Sequence, residues 1–155
     1  IIDNSLENGY TVDWAADVSE PGFQYSKGFA VIPAGVGEDA QNTEWSKWET
    51  MSANSRRNMI ANATEPIKEM EITQELRQQG YDNYETTDDH GMLITGLYKD
   101  QNGNTFYKVK NSWNTDNIYD GYFFASAPFV AYKTLNIVVH KDAVPKDIRK
   151  KLGIK

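Results

Sequence analysis

Apolar and polar residues alternate along much of the chain, and this alternation predicts short β-strands with one buried face. The first such segment is 10–18, where Asp17 is expected on the polar face. The apolar face of this strand comprises Tyr10, Val12, Trp14, Ala16 and Val18. The remaining predicted strands, in chain order, cover 28–33, 91–98, 105–111, 121–125 and 134–140.

A helical insert is predicted over about residues 43–80. Its first half has no Gly or Pro and places Trp and Met partly at helical spacing, and Ser46 fits the first position of a capping box. A second helix is expected to begin after Thr73, a favourable N-cap residue. Gly80 then occupies the position of the glycine that commonly ends a helix.

A last helix is predicted over about residues 146–152. Pro145 suits the first helical position because the N–H that it lacks is not needed there, and Gly153 suits the position that ends a helix. Helices inserted among mainly antiparallel strands indicate the α+β fold class. A chain of 155 residues has the size of one domain, so we interpret residues 1–155 as a single domain.

Composition and charge narrow the function classes. The net charge is −6 and the pI is near 4.9, and an acidic surface repels phosphate backbones, so no nucleic-acid partner is expected. No apolar run approaches the roughly 18 residues that cross a bilayer, so no membrane span is expected. The sequence contains no cysteine, which excludes disulfides, thiolate metal sites and a cysteine nucleophile within these residues.

Two residues with catalytic chemistry flank a predicted hairpin. His90 opens one strand, Asn111 closes the next, and the Asn102-Gly103 turn between them favours a tight reversal that brings the two ends side by side. An Asn carbonyl beside a His can accept the imidazole N–H, which fixes the tautomer and leaves the other ring nitrogen free as a base or ion-pair partner. Trp113 follows closely and is expected to cover that hydrogen bond.

Taken alone, these residues also fit structural roles. A His beside acidic residues such as Asp88 and Asp89 is usually a surface or capping residue, and Asn-Ser-Trp can close an ordinary strand. His140, the only other histidine in the sequence, ends an apolar strand and is interpreted as structural.

The second half of the chain combines several short motifs. They are His90-Gly91 at the start of an apolar strand, Lys110-Asn111-Ser112-Trp113, and Gly121-Tyr122. In combination they resemble the carboxy-terminal half of the papain superfamily of cysteine peptidases. Within that superfamily the chain is most similar to the bleomycin hydrolase and aminopeptidase C branch, on the segments 14–18 and 138–145 and on the polar helical insert before the His.

In the papain superfamily a Cys, a His and an Asn form the catalytic set, and the Asn orients the His. The resemblance therefore implies catalytic roles for His90 and Asn111, a supporting role for Trp113, a peptide substrate, and no metal or cofactor. It implies a papain-like carboxy-terminal antiparallel β-barrel or sheet domain, with the cysteine in a missing amino-terminal half. The intact parent is then expected to be a cysteine peptidase of the aminopeptidase type, and this chain alone to be inactive.

The same branch implies features at the surface of the molecule. Its carboxy terminus reaches into the cleft, which points to Lys155 as a cleft-directed tail, and its members form ring-shaped homo-oligomers in the cytoplasm, although the residues themselves do not determine the compartment. A missing half also implies an exposed apolar docking face, for which the strand at 10–18 and the aromatic residues Phe123, Phe124 and Phe129 are candidates. One departure is Asn114, where family members commonly have a Gly that can adopt an unusual dihedral.

Two other functions stay open. A parent that has lost its nucleophile would be a catalytically dead peptidase relative that acts as a scaffold or interaction protein. The 4 Trp and 9 Tyr could instead supply the stacking platforms of a carbohydrate-binding β module. Against that module, Trp14 and Trp113 are expected in the core and no evenly spaced row of aromatic residues is visible.

Overall fold

The computed structural model describes residues 1–34 and 44–154, and a curled seven-stranded sheet forms its centre. The strands are β1 (Val12–Ala16), β2 (Phe23–Gln24), β3 (Phe29–Ala30), β4 (His90–Lys99), β5 (Thr105–Lys110), β6 (Tyr122–Ser126) and β7 (Thr134–Val138). Their order across the sheet is β2-β3-β6-β5-β4-β1-β7. The β3–β6 pair is parallel, whereas the other pairs are antiparallel.

Helices surround this sheet, which confirms the α+β class. They are α1 (Ile2–Glu7), α2 (Ala53–Ala61), α3 (Gln74–Asp82), α4 (Ala127–Lys133) and α5 (Lys146–Leu152), with 3-10 turns at Tyr25–Lys27, Glu44–Thr50 and Lys141–Ala143. The sequence pattern did not predict α1 or α4. The start of α4 is fixed by Ser126, whose hydroxyl accepts a hydrogen bond from the Phe129 N–H. Within the described ranges, no helix is both long and apolar enough to cross a membrane.

The core lies between the inner face of the sheet and the helices α1, α3 and α4. Trp14, Ile94 and Val109 are fully buried in it, and the burial of Trp14 confirms the apolar face predicted for the first strand. Phe123 and Phe129 are also fully buried. The prediction that these two phenylalanines and the strand at 10–18 form an exposed docking face is therefore wrong. The core already encloses both rings and the inward side chains of that strand, such as Trp14.

Asp17 corrects the predicted polar face of β1. The alternation ends with a register shift between Ala15 and Ala16, and the next residue turns inward, so that Asp17 is buried rather than exposed. Its backbone N–H donates to the Lys133 carbonyl at 3.0 Å. The ammonium group of Lys133, on α4, lies 3.7 Å from Asp17 Oδ2. Because this positive charge is buried beside it, the carboxylate can be buried too.

The first part of the helical insert starts later than predicted. Residue 43 lies outside the described residues, and Ser46 lies inside the 3-10 turn rather than at a helix start. The helix α2 begins after Ser52, whose hydroxyl accepts from the Ser55 N–H at 3.2 Å. The prediction of a capping box at Ser46 is therefore wrong by about one and a half helical turns.

The second helix of the insert begins as predicted but ends later. Thr73 caps α3 by accepting from the Leu76 N–H at 3.2 Å. The helix continues through Gly80 to Asp82, so the prediction that Gly80 ends it is wrong. A Cβ at Gly80 would lie 2.9 Å from the Tyr132 ring, and glycine here allows α3 to pack closely against α4.

A half-buried carboxylate joins the insert to the sheet. Glu69 Oε2 accepts hydrogen bonds from the Ile32 N–H at 2.8 Å and from the Ser126 hydroxyl. The backbone of the neighbouring Met70 also donates to the Ile32 carbonyl at 3.0 Å. Burial raises the pKa of Glu69 above its usual value, despite these two donors.

The last helix, α5, has its predicted bounds Lys146–Leu152 and is ended by Gly153 with a φ of 67°. The prediction that Pro145 takes the first helical position is wrong by one residue, because its ψ of 141° is not helical and it is the N-cap. The predicted cleft-directed tail residue, Lys155, lies outside the described residues.

Replacing Glu69 with Gln should stabilise the fold more at neutral than at acidic pH. The amide oxygen of Gln can accept from both donors without a buried charge. Burial raises the folded-state pKa of Glu69 above its unfolded-state pKa of about 4.3. Glu69 therefore contributes most to the stability of the fold below the unfolded-state pKa, and this contribution is lost as the pH rises through the folded-state pKa.

Urea unfolding of wild type and Glu69→Gln at about pH 7 and about pH 4 measures this difference. Glu71→Gln is the control, because Glu71 is exposed on the same segment and should show little effect at either pH. A stability change for Glu69→Gln that is equal at both pH values would contradict the prediction.

Candidate active site

The hairpin β4–β5 brings His90 and Asn111 together. His90 is the first residue of β4, Asn111 directly follows β5, and His90 Nε2 lies 2.7 Å from Asn111 Oδ1. The same oxygen accepts the Ser112 N–H at 2.8 Å, which fixes the orientation of the amide group. Because Oδ1 can only accept, the neutral His90 ring carries its proton on Nε2, and Nδ1 is left as the basic nitrogen.

The two partners differ in exposure. Asn111 is 2% exposed, whereas His90 is half-buried. Asn111 Nδ2 has no hydrogen-bond partner, and it is the only buried side-chain nitrogen or oxygen in this state among the described residues.

Trp113 packs against the histidine ring, as the sequence predicted. The ring centroids of Trp113 and His90 are 4.8 Å apart, with the planes inclined at 37°. Trp113 is nevertheless 46% exposed, so the prediction that it belongs to the core is wrong. It lies at the surface, where its ring also meets the Phe23 ring nearly at right angles, with 5.7 Å between the ring centroids.

The loop that carries Trp113 is organised by Asn117, which the sequence analysis missed. The buried Asn117 side chain donates to the Tyr122 carbonyl at 2.6 Å and accepts from the Gly121 N–H at 2.7 Å. Gly121 has a φ of 84°, a conformation that favours glycine. An Asn ahead of a Gly in a polar loop is a local turn signal that could have revealed this role.

Asn114 stands where the superfamily that the sequence resembles commonly has Gly, but the backbone at Asn114 does not have a positive φ. Among the described residues, only Tyr84 and Asp120 are non-glycine residues with a positive φ. Asn114 therefore needs no conformation reserved for glycine, and its side chain donates to Asp116 Oδ2 at 2.7 Å.

A buried lysine lies behind the chain segment that leads into His90. Lys133 is fully buried, and its Nζ lies 3.7 Å from Asp17 Oδ2 and forms a second, shorter ion pair with Glu20. The same ammonium donates to the Glu85 carbonyl at 2.8 Å. It thus ties α4 to the end of β1 and to the backbone that precedes β4.

The carboxylate of Asp17 also binds the backbone of the segment that precedes β4. Its Oδ2 accepts from the Thr87 N–H at 3.1 Å and its Oδ1 from the Ser19 N–H at 2.8 Å. Burial acts to raise the pKa of Asp17, but the hydrogen bonds from Ser19 and Thr87 and the charge of Lys133 outweigh it and lower the pKa. Burial raises the pKa of the neighbouring Asp89, whose Oδ1 accepts the Val18 N–H at 2.9 Å.

The other histidine, His140, contacts Tyr10 and Asp142, and its structural role stays a prediction. The His140 ring stacks on Tyr10 at 5.0 Å, and its Nδ1 accepts from the Asp142 N–H at 3.3 Å. Within the described part of the chain, no group of three or more His, Asp or Glu side chains could hold a metal ion.

Comparisons with known proteins identify relatives for most of the chain. The model of the Peptidase C1-like family matches residues 44–154. Aminopeptidase C of Lactococcus lactis subsp. cremoris is 41% identical over 59 residues, which cover 37% of this chain and 14% of that protein. Aminopeptidase C of Lactobacillus helveticus is 33% identical over 69 residues, which cover 44% of this chain and 15% of that protein.

A solved structure supports the fold. The crystal structure of PepW from Lactobacillus rhamnosis superposes on 99% of this chain and 29% of its own, with a TM-score of 0.56 and 19% sequence identity. At this identity the likeness shows a shared fold. The chain spans less than a third of the length of PepW, and its matched segments span about a seventh of each aminopeptidase.

Replacing Lys133 with Met should destabilise the fold by about 3 kcal/mol, because it leaves the buried Asp17 carboxylate without its ammonium partner. Urea unfolding measures the loss. Lys150→Met is the control, because Lys150 is an exposed lysine of α5 and its replacement should change stability by less than about 0.5 kcal/mol. Equal effects of the two substitutions would show that the buried ion pair does not support the fold.

Proposed function

Because this chain belongs to the Peptidase C1-like family, we propose that it supplies the His and the Asn of a Cys-His-Asn peptidase site, with His90 and Asn111 in those roles. The observation that carries this proposal is the 2.7 Å contact between His90 Nε2 and Asn111 Oδ1. This contact leaves Nδ1 of His90 as the free basic nitrogen, which is the arrangement that a thiol partner requires.

The nucleophile comes from another part of the parent protein, since these residues include no cysteine. In the proposed reaction, His90 takes the thiol proton and stabilises the thiolate as an ion pair. The thiolate sulfur bonds to the carbonyl carbon of the peptide, and His90 returns the proton to the nitrogen as the C–N bond breaks. Water then attacks the thioester, releases the acid, and restores the thiol.

One feature supports a site completed by further chain. Trp113 is a large apolar side chain that is 46% exposed, and its ring packs against His90. It would gain a partner if an amino-terminal half packed against this edge of the molecule. The single-domain organisation of residues 1–155 as the carboxy-terminal half belongs to the same proposal.

The substrate is proposed to be a peptide cleaved from its amino end. The support is that the matched relatives are named Aminopeptidase C. The cleft-directed role of Lys155, the homo-oligomer and the cytoplasmic location stay predictions. A carbohydrate-binding module has less support, because Trp14 is fully buried and Trp113 has one face against His90.

In the full-length parent, His90→Ala should reduce kcat by up to about 10⁶-fold, because the nucleophile and its base act as a unit. Asn111→Ala should cost less, because Asn111 orients the ring and does not exchange a proton. His140→Ala is the matched control and should leave turnover of an aminoacyl fluorogenic amide unchanged.

The outcome separates the alternatives. A parent in which His90→Ala is as active as His140→Ala would refute the catalytic role of His90. A wild-type parent with no turnover on any peptide would instead favour the catalytically dead scaffold relative.

The purified chain of 155 residues should not hydrolyse the same substrate, since it contains no cysteine. The measurement is fluorescence release at high enzyme concentration, with the His90→Ala chain as the background control. Hydrolysis by the wild-type chain above that background would mean that a different nucleophile operates here.

A further inference from the structure

Trp113 is held in place by a residue from a distant part of the chain. Tyr25 follows β2, yet the centroid of its ring lies 5.1 Å from the centroid of the Trp113 ring, with an angle of 83° between the two planes. Its hydroxyl donates a hydrogen bond to the carbonyl of Asn114, the next residue after Trp113. The Tyr25 side chain therefore contacts the indole ring of Trp113 and also binds the backbone next to Trp113.

We propose that Tyr25 is a positioning residue that acts through Trp113 to keep water from the hydrogen bond between His90 and Asn111. This inference rests on the proposed catalytic roles of His90 and Asn111. It adds Tyr25 to the parts of the site that determine how well the histidine is oriented.

The position of Tyr25 is itself well defined. The Asn117 side chain donates to the Tyr25 carbonyl at 3.2 Å, so the residue that organises the Trp113 loop also binds the backbone of Tyr25. On its inner side the Tyr25 ring meets Phe123, which is fully buried in the core, at 6.2 Å and 81°. Tyr25 thus contacts both the buried core, through Phe123, and the exposed loop, through the Asn114 carbonyl.

The hydroxyl of Tyr25 stays a donor under ordinary conditions. Burial and the nearby carboxylate of Asp116 raise the pKa of Tyr25 above its usual value. The group therefore remains protonated, as its hydrogen bond to the Asn114 carbonyl requires.

Trp113 depends on such support because much of it is in solvent. It is 46% exposed, and the residues that follow it, Asn114, Thr115 and Asp116, are exposed as well. Exposed loops open locally at low free-energy cost unless specific contacts hold them. Loss of the Tyr25 hydroxyl should therefore let Trp113 leave His90 more often and admit water to the His90 Nε2–H.

The test is Tyr25→Phe, which removes the hydroxyl and keeps the ring. In the chain labelled with ¹⁵N-histidine, NMR measures solvent exchange of the His90 Nε2 proton. The net value of one hydrogen bond predicts roughly twofold to tenfold faster exchange. Tyr119→Phe is the matched control, because Tyr119 lies on the same loop and its hydroxyl makes no hydrogen bond within the described residues. It should exchange like the wild type.

A double substitution tests whether the effect passes through Trp113. Trp113→Ala alone should abolish protection of the ring proton, and adding Tyr25→Phe should then cause no further change. Wild-type-like exchange in Tyr25→Phe, equal acceleration in Tyr119→Phe, or a remaining effect of Tyr25→Phe in the Trp113→Ala background would each overturn the proposal. So would a wild-type chain whose Nε2 proton is already unprotected.

The readout is independent of catalysis. If His90 and Asn111 are not catalytic, kcat of the parent is unaffected by their replacement, yet exchange still reports whether Tyr25 holds Trp113. Urea midpoints of Tyr25→Phe and Tyr119→Phe that agree within error exclude a general loss of stability as the cause.

Discussion

The pairing of β4 with β5 is the constraint on which the rest of the molecule depends. Ile94 is paired with Val109, and both side chains are fully buried under the sheet. A slip of one residue would turn these two side chains towards solvent, so the register is strongly fixed. With this register, the first residue of one strand and the residue after the other, His90 and Asn111, meet at the same end of the hairpin.

Other elements hold that end of the hairpin from different directions. The buried pair of Lys133 and Asp17 anchors the segment before His90 to α4, whereas aromatic rings from β2 and its following turn support Trp113 on the outer side. Buried charges tolerate little displacement because they lose their partners, and packed rings tolerate little because they clash. The two kinds of contact therefore restrict the histidine in complementary ways.

Local signals in the sequence were sufficient for the hairpin and for the contact between His90 and Asn111. An apolar run predicts β4, alternation of period two predicts β5, and the Asn-Gly turn predicts their connection. The meeting of His90 with Asn111 therefore follows from neighbouring residues alone. Asp17 could not be placed in this way, because its burial depends on Lys133, which lies far away in the sequence. Gly80 shows the same limit, since a glycine that ends a helix and a glycine that admits Tyr132 look identical in a local pattern.

The two hydrogen bonds accepted by Asn111 Oδ1 have a consequence for assembly. One comes from the His90 ring and the other from the backbone of the next residue, so neither the amide nor the imidazole is free to rotate. Ordering a mobile side chain typically costs about 0.5–1.5 kcal/mol when an interface forms. In this chain that conformational entropy has already been lost on folding. If a partner segment supplies the thiol, as proposed, it binds next to an imidazole that is already oriented. The free energy of binding that segment is then not spent on ordering His90 or Asn111.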